Sequence, residues 1–176
     1  MGVSDYGIDS FSLSHFKISY PTLVNWRCLR CSICCRDTPR HPRRIRLLLK
    51  EAIEISRKTG IPVEQFARKA QDQRYPYEMR KRYGSCLFLE GRYCRLYDYR
   101  PLVCRFYPFE MESDGSTLKI LFAGEACPGS GRGQPLGEHF FRRLATHAIE
   151  RLIQQPVLPK VRLSQRCWLS RGHPYP

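Results

Sequence analysis

The sequence contains no hydrophobic run that approaches the length of a membrane span. Its apolar stretches are only a few residues long, whereas a spanning helix needs about 20 predominantly apolar residues in succession. The first residues, Met1 to Tyr6, supply neither a basic start nor an apolar stretch behind it, which argues against a secretory signal. We therefore expect a cytoplasmic protein with no membrane span.

Acidic residues and histidines are also scarce. The chain has 16 acidic residues against 30 lysines and arginines, a formal net charge of +14, and five histidines. Such a surface is typical of proteins that bind polyanions, and it also balances negative charge held at a metal site. Nucleic acid stays open as a partner without being favoured; an unidentified protein or redox partner is the alternative.

The motifs of several large enzyme classes are missing. The sequence has no Gly-rich nucleotide loop, no G-x-S-x-G turn and no H-E-x-x-H helix, so it carries no signature of those enzyme families. No catalytic residue can be named from the sequence.

Cysteine, by contrast, is abundant, with nine in 176 residues. A disulfide framework is disfavoured because no export signal is visible, the count is odd, and four cysteines crowd between Cys28 and Cys35. The adjacent pair Cys34-Cys35 also cannot easily form a disulfide without strain. Metal ligation is the better interpretation.

The crowded segment reads C-x-x-C-x-x-C-C. A C-x-x-C spacing puts two thiolates on one turn, where both reach a common ion, and the further x-x-C resembles the start of a ferredoxin-type cluster loop. Soft thiolates select zinc, cuprous copper or iron–sulfur clusters. The predicted cofactor is an iron–sulfur cluster, [4Fe–4S] in the first instance, or Zn²⁺, in one centre or two. The eight predicted ligands are Cys28, Cys31, Cys34, Cys35, Cys86, Cys94, Cys104 and Cys127, and Cys167 is expected to be a bystander.

The remaining pattern predicts an α+β fold, a small cysteine-rich, metal-stabilised domain with about three amphipathic helices and short β-hairpins. Turns at Glu90-Gly91 and Asp114-Gly115 lie between short apolar runs and predict the hairpins. Apolar spacings of three and four predict the helices: Ile45, Leu48, Leu49, Ala52 and Ile53, ending at Gly60; Val63, Phe66, Ala67 and Ala70; Phe141, Leu144, Ala145, Ala148 and Leu152. We divide the chain into an N-terminal arm (1–27), the metal-binding domain (28–154) and a basic, Pro-rich tail (155–176).

The cysteine order carries a family resemblance. The octet, together with the stretch from Cys94 to Pro108 that contains Y-x-x-R-P-x-x-C-R and with Cys127-Pro128-Gly129, resembles the YkgJ-type family of CxxCxxCC zinc- or iron-chelating domains. Ser32 stands where that family usually has Gly, and Leu87 where it has Pro. A related domain occurs in the flagellin lysine N-methylase, so the resemblance permits an enzyme without implying one.

Arg100 and Arg105 flank Cys104, and two roles stay open for them. They either hydrogen-bond to cluster sulfurs or hold an anion near the centre, or they pin the loop by pairing with Asp98 or Glu110.

Three functions follow. The first is a metal-binding protein with a structural or electron-transfer role and an unknown reaction. The second is a cluster-dependent enzyme that modifies a protein or small molecule, for example by methyl transfer. The third is a metal-stabilised nucleic-acid-binding module with a basic face of Arg40, Arg43, Arg44, Arg46, Lys50, Arg80, Lys81 and Arg82.

Overall fold

The computed structural model describes residues 16–39, 42–113, 116–124 and 126–153. The helices are α1 (Leu49–Thr59), α2 (Val63–Phe66), α3 (Leu102–Phe106) and α4 (Glu138–Ile153), with 3₁₀ turns at Ile33–Cys35 and Tyr97–Tyr99. The strands are β1 (Lys17–Ser19), β2 (Asn25–Trp26), β3 (Arg46–Leu47), β4 (Ala67–Lys69), β5 (Tyr77–Met79), β6 (Lys81–Arg82), β7 (Ser85–Cys86), β8 (Leu89–Glu90), β9 (Tyr93–Cys94), β10 (Phe109–Ser113), β11 (Thr117–Phe122) and β12 (Ser130–Pro135). This mixture of helices and small sheets confirms the α+β class.

One hydrophobic core forms where α4 packs against a three-stranded sheet in the order β1-β11-β10. Strands β10 and β11 are an antiparallel hairpin around the predicted Asp114-Gly115 turn, whose two residues lie outside the described part of the chain. Phe109 contributes a central ring: it lies edge-on to Phe141 and Trp26. The apolar stripe of α4 is thus buried on the sheet, as its spacing predicts.

A second core surrounds α1 and the sheet β3-β5-β4, and it includes Phe66 and Phe88 packed edge to face. Helix α1 ends at Gly60, whose φ of 70° is the left-handed cap that favours glycine. Cys35, Cys86, Cys94 and Cys104 border this core, so the cysteines lie at its edge.

The two β-ribbons β6–β7 and β8–β9 carry cysteines at their ends. In the second, Leu89 pairs with Cys94 and Glu90 with Tyr93, and Gly91 in the turn has a φ of 58°. The hairpin predicted at Glu90-Gly91 is therefore present, although Cys86 belongs to the preceding ribbon, where it pairs with Lys81.

Two helix predictions need correction. Helix α1 starts at Leu49, because Ile45 precedes the strand β3, and Ile53 is 56% exposed instead of buried. Helix α2 stops at Phe66. The next residue, Ala67, is predicted to be helical but begins β4. Pairing of β4 with β5 overrides the weak helical preference of this short segment.

The described part of the predicted N-terminal arm begins at residue 16. Strand β1 pairs in parallel with β11, and β2 pairs with β12, while Tyr20 stacks on Phe141. The predicted tail and Cys167 lie outside the described residues. Within the described ranges, no helix has the length and apolar character needed to cross a bilayer.

Candidate metal centre

All eight cysteines singled out from the sequence line one cavity of about 340 Å³, called here the thiol cavity. They come from three distant parts of the chain: residues 28–35, residues 86–104 and residue 127. Part of the remaining wall is apolar and includes Ile45, Met79 and Leu96. The fold therefore brings the predicted ligands together around one space.

The first four cysteines lie on a tightly wound loop. Arg30 and Ser32 have φ values of 50° and 62°, which are left-handed conformations that cost energy for residues with a Cβ. The Ser32 carbonyl accepts a 2.9 Å hydrogen bond from the Cys35 N–H and closes the 3₁₀ turn. The left-handed φ also explains why glycine suits position 32, where the sequence has serine.

A buried carboxylate fixes the position of α3, the helix that contains Cys104. Glu51, only 3% exposed, accepts a 3.0 Å hydrogen bond from the Leu48 N–H and a 2.6 Å bond from the Leu102 N–H. Its side chain therefore joins the N-terminus of α1 to that of α3. Burial raises the pKa of Glu51, and both hydrogen bonds partly offset this rise because they stabilise the carboxylate.

Cys127 is placed by close contact between two backbone segments. The Arg27 N–H donates a 3.2 Å hydrogen bond to the Gly129 carbonyl, and a methyl group built on Gly129 would overlap the Arg27 carbonyl oxygen. The Trp26 indole N–H lies 3.4 Å from the Cys127 sulfur, to which it donates. Only glycine allows this approach, which positions both Cys127 and the loop that begins at Cys28.

Cys86 and Cys94 are fixed by the two β-ribbons, and Arg36 links the ribbons to the loop that carries Cys35. Its guanidinium donates a 3.2 Å hydrogen bond to the Ser85 hydroxyl and a 2.7 Å bond to the Gly91 carbonyl. These bonds hold Ser85, which precedes Cys86, and Gly91, in the turn before Cys94, against the loop that carries Cys35.

Three of the sulfurs interact directly. The Cys34 and Cys35 sulfurs are 4.0 Å apart, and Cys35 also hydrogen-bonds to Cys94. Hydrogen bonding among these three thiols raises the pKa of Cys35, while it lowers the pKa of Cys34 to about 7 and that of Cys94 to about 6. The Arg43 and Arg100 guanidinium groups lower these two pKa values further.

The thiols of Cys86 and Cys104 behave in the opposite way. Burial raises the pKa of Cys86 to about 11 and that of Cys104 well above its usual value, because an apolar surrounding disfavours a thiolate. A bound cation is the group that would offset this cost, since ligation requires the deprotonated sulfur.

The donor set fits a thiolate-bound metal centre. The 4.0 Å separation of Cys34 and Cys35 is close to the roughly 3.8 Å between two sulfurs of a tetrahedral zinc site with Zn–S bonds near 2.3 Å. Yet among the described side chains, no three Cys, His, Asp or Glu residues converge on a point where a single ion could be held. Eight thiols around about 340 Å³ supply enough sulfur donors for one centre or for two.

The two flanking arginines have different surroundings. Arg100 lines the thiol cavity, lies 4.2 Å from the centre of the Tyr97 ring and donates to the Tyr97 carbonyl. Arg105 donates instead to the backbone carbonyls of Arg100 and Asp98. Arg105 therefore braces the loop that carries Arg100, through carbonyl groups rather than the carboxylates considered above.

Sequence reasoning missed two neighbours of the sulfurs. Trp26 lies 101 residues from Cys127 in the chain, and no local signal pairs them. Arg43 belongs to the basic face that the sequence predicts, but it is only 6% exposed. Its positive charge lowers the pKa of Cys34, and its guanidinium lies 5.0 Å from the Tyr107 ring centre. The Pro42-Arg43-Arg44 sequence gives no hint that the middle residue turns inward.

Several residues of the predicted basic face form ion pairs or hydrogen bonds within the protein. Arg46 pairs with Asp72 and Lys81 with Asp37, while Arg80 donates to the carbonyls of Glu64 and Ala67. Arg40 lies outside the described residues. These contacts leave fewer cations free for a phosphate backbone than the sequence indicates.

Comparisons with known proteins place this arrangement in a family. The uncharacterized protein MJ0661 of Methanocaldococcus jannaschii is 25% identical over 113 residues, which are 60% of this chain and 58% of the relative. The chain thus matches little more than half of that protein's length. No solved structure matches the chain. The family of CxxCxxCC proteins, described as a "putative zinc- or iron-chelating domain", matches residues 27–128. The chain belongs to this family, which confirms the resemblance seen in the cysteine order.

Proposed function

We propose that the thiol cavity holds a polynuclear, cysteine-ligated metal centre, an iron–sulfur cluster in preference to zinc ions, with a structural or electron-transfer role. The observation that carries this proposal is that eight cysteines from three distant segments line one cavity. Thiolates are the ligands of iron–sulfur clusters and of structural zinc, and the family description names the same two metals.

Iron–sulfur is preferred because of the size and spread of the donor set. Eight thiols line the cavity, which is twice the number that a single structural zinc ion binds. A cluster of several iron atoms spaces its thiolates more widely. When bound, such a cluster supplies one-electron redox chemistry, whereas zinc is redox-inactive and supplies a structural cross-link or a Lewis acid.

The chain's own residues would prepare and tune this centre. The lowered pKa values of the Cys34 and Cys94 thiols favour the thiolate form that metal ligation requires. The Trp26 indole N–H, 3.4 Å from the Cys127 sulfur, would stabilise negative charge on that ligand. Hydrogen bonds of this kind to the sulfurs help to set cluster potentials.

The test is purification without oxygen, followed by iron, zinc and sulfide analysis and an absorption spectrum. We expect iron and sulfide in equal amounts and broad thiolate-to-iron absorbance near roughly 400 nm. We expect Cys104→Ser to weaken metal binding by at least about 100-fold, beyond the usual loss for outer-shell residues. Cys167→Ser is the matched control and should retain the metal. Protein that contains neither iron nor zinc would rule the proposal out.

A further inference from the structure

The opening of the thiol cavity combines exposed apolar surface with charge. Leu29 is 38% exposed and Tyr93 is 75% exposed, and the exposed side chains of Arg30, Arg92 and Asp98 line the cavity beside them. These five residues are called here the rim. Tyrosine and arginine are enriched among the residues that dominate protein–protein binding energy, so the rim has the composition of an interface rather than of an ordinary solvated surface.

Two arginines at this opening are held in place by one aromatic ring. The Arg30 guanidinium lies 4.6 Å and the Arg100 guanidinium 4.2 Å from the centre of the Tyr97 ring. Arg30 also has a left-handed φ of 50°, a strained conformation of the kind that clusters at binding sites. Because these side chains are already ordered, a partner that binds them loses less conformational entropy.

The charge at the opening is positive. Among the described residues that line the cavity, Arg30, Arg92 and Arg100 oppose the single carboxylate Asp98, in a chain whose formal net charge is +14. These guanidinium groups line the same cavity as the eight cysteines. They shield an approaching anionic partner from the charge of the centre and attract its carboxylates.

We propose that the rim is a docking surface for an acidic protein segment that presents carboxylates beside an aromatic or aliphatic side chain. This proposal rests on the proposed function, because the partner would dock beside the metal centre held in the thiol cavity. A polypeptide fits better than RNA: an RNA-binding face needs cations that follow a backbone, and Arg43, Arg46, Arg80 and Lys81 are engaged internally.

The probe is a fluorescein-labelled peptide of glutamate pairs separated by tyrosines, titrated with oxygen-protected protein and followed by fluorescence anisotropy. We expect the double variant Arg30→Gln, Arg92→Gln to weaken binding by about fivefold or more, as loss of two rim charges should. The control Arg57→Gln, Lys58→Gln removes the same charge at the exposed end of α1 and should change binding by less than about twofold. Tyr93→Ser, which changes no charge, should also weaken binding.

Several results would overturn the docking surface: no peptide binding by metal-loaded protein, equal losses in the rim and control variants, or tighter, rim-dependent binding of a labelled uridine oligonucleotide. The metal content of every sample is measured alongside. Protein that lacks metal contradicts the proposed function. Metal-loaded protein that does not bind the peptide contradicts the docking surface alone.

Discussion

At the scale of single residues, the backbone of loop 28–35 is strained next to the predicted ligands. Ser32 is only 8% exposed and has a φ of 62°. A left-handed residue with a Cβ costs about 1–2 kcal/mol relative to the right-handed form, and glycine escapes most of this cost. The strain is the consequence of winding Cys31 and Cys34 around one turn.

We expect Ser32→Gly to raise the free energy of unfolding by about 1 kcal/mol, measured by denaturant unfolding of metal-loaded protein. The lost hydroxyl is a minor factor, since its hydrogen bond from Arg36 is 3.5 Å long. Ser32→Ala is the matched control, because it removes the hydroxyl and keeps the Cβ. Equal stability of the Gly and Ala variants would show that the left-handed backbone stores no such strain.

At the scale of elements, the site depends on how closely β2 approaches the turn after Cys127. We expect Gly129→Ala to push these segments apart, because a methyl group would overlap the Arg27 carbonyl oxygen. Overpacking of this kind costs about 1–3 kcal/mol, and the bond from Trp26 to Cys127 should be lost with it. Metal content and thermal unfolding are the measurements.

The control for that change is Gly137→Ala, since Gly137 has open space where a Cβ would lie. This variant should keep the metal content of the parent and lose no more than about 1 kcal/mol of stability, because Gly137 precedes α4 at a position where alanine caps less well than glycine. If both alanine variants behave alike, the close approach at Gly129 has no role in building the site.

The junction of α1 and α3 depends on one carboxylate. We expect Glu51→Ala to destabilise the fold by about 2–6 kcal/mol, because the buried N–H groups of Leu48 and Leu102 each lose their acceptor, at about 1–3 kcal/mol per group. Denaturant unfolding measures the loss. Glu150→Ala, an exposed glutamate on α4, should change stability by no more than about 0.5 kcal/mol; an equal loss there would refute the bridging role of Glu51.

The same elements show what the sequence can predict. The hairpin at Glu90-Gly91 and the apolar stripe of α4 depend on turn chemistry and on spacing within one segment, and the structure contains both. Helix α2 was predicted too long because the pairing of β4 with β5 is not a local property. The same limit applies to Trp26 and Cys127, whose contact depends on the pairing of β2 with β12.

At the scale of the whole molecule, the cysteines come from three parts of the chain that also contact one another through Arg36 and through the pairing of β2 with β12. The crowding of Cys28 to Cys35 and the family resemblance identified the eight residues, and the structure places them around one cavity. Their ligation of a metal, and the division into one or two centres, remain predictions. The sequence could not give the inward turn of Arg43 or the rim around Tyr97, because both depend on tertiary packing.

X-ray absorption at the metal edge of oxygen-protected protein tests the central claim most directly, since it reads the atoms bound to the metal. Ligation by these thiolates predicts a first shell of sulfur alone, at about 2.3 Å, with a further shell from a neighbouring metal atom. A first shell dominated by nitrogen or oxygen, at about 2.0–2.2 Å, would contradict the claim that the eight cysteines hold the centre.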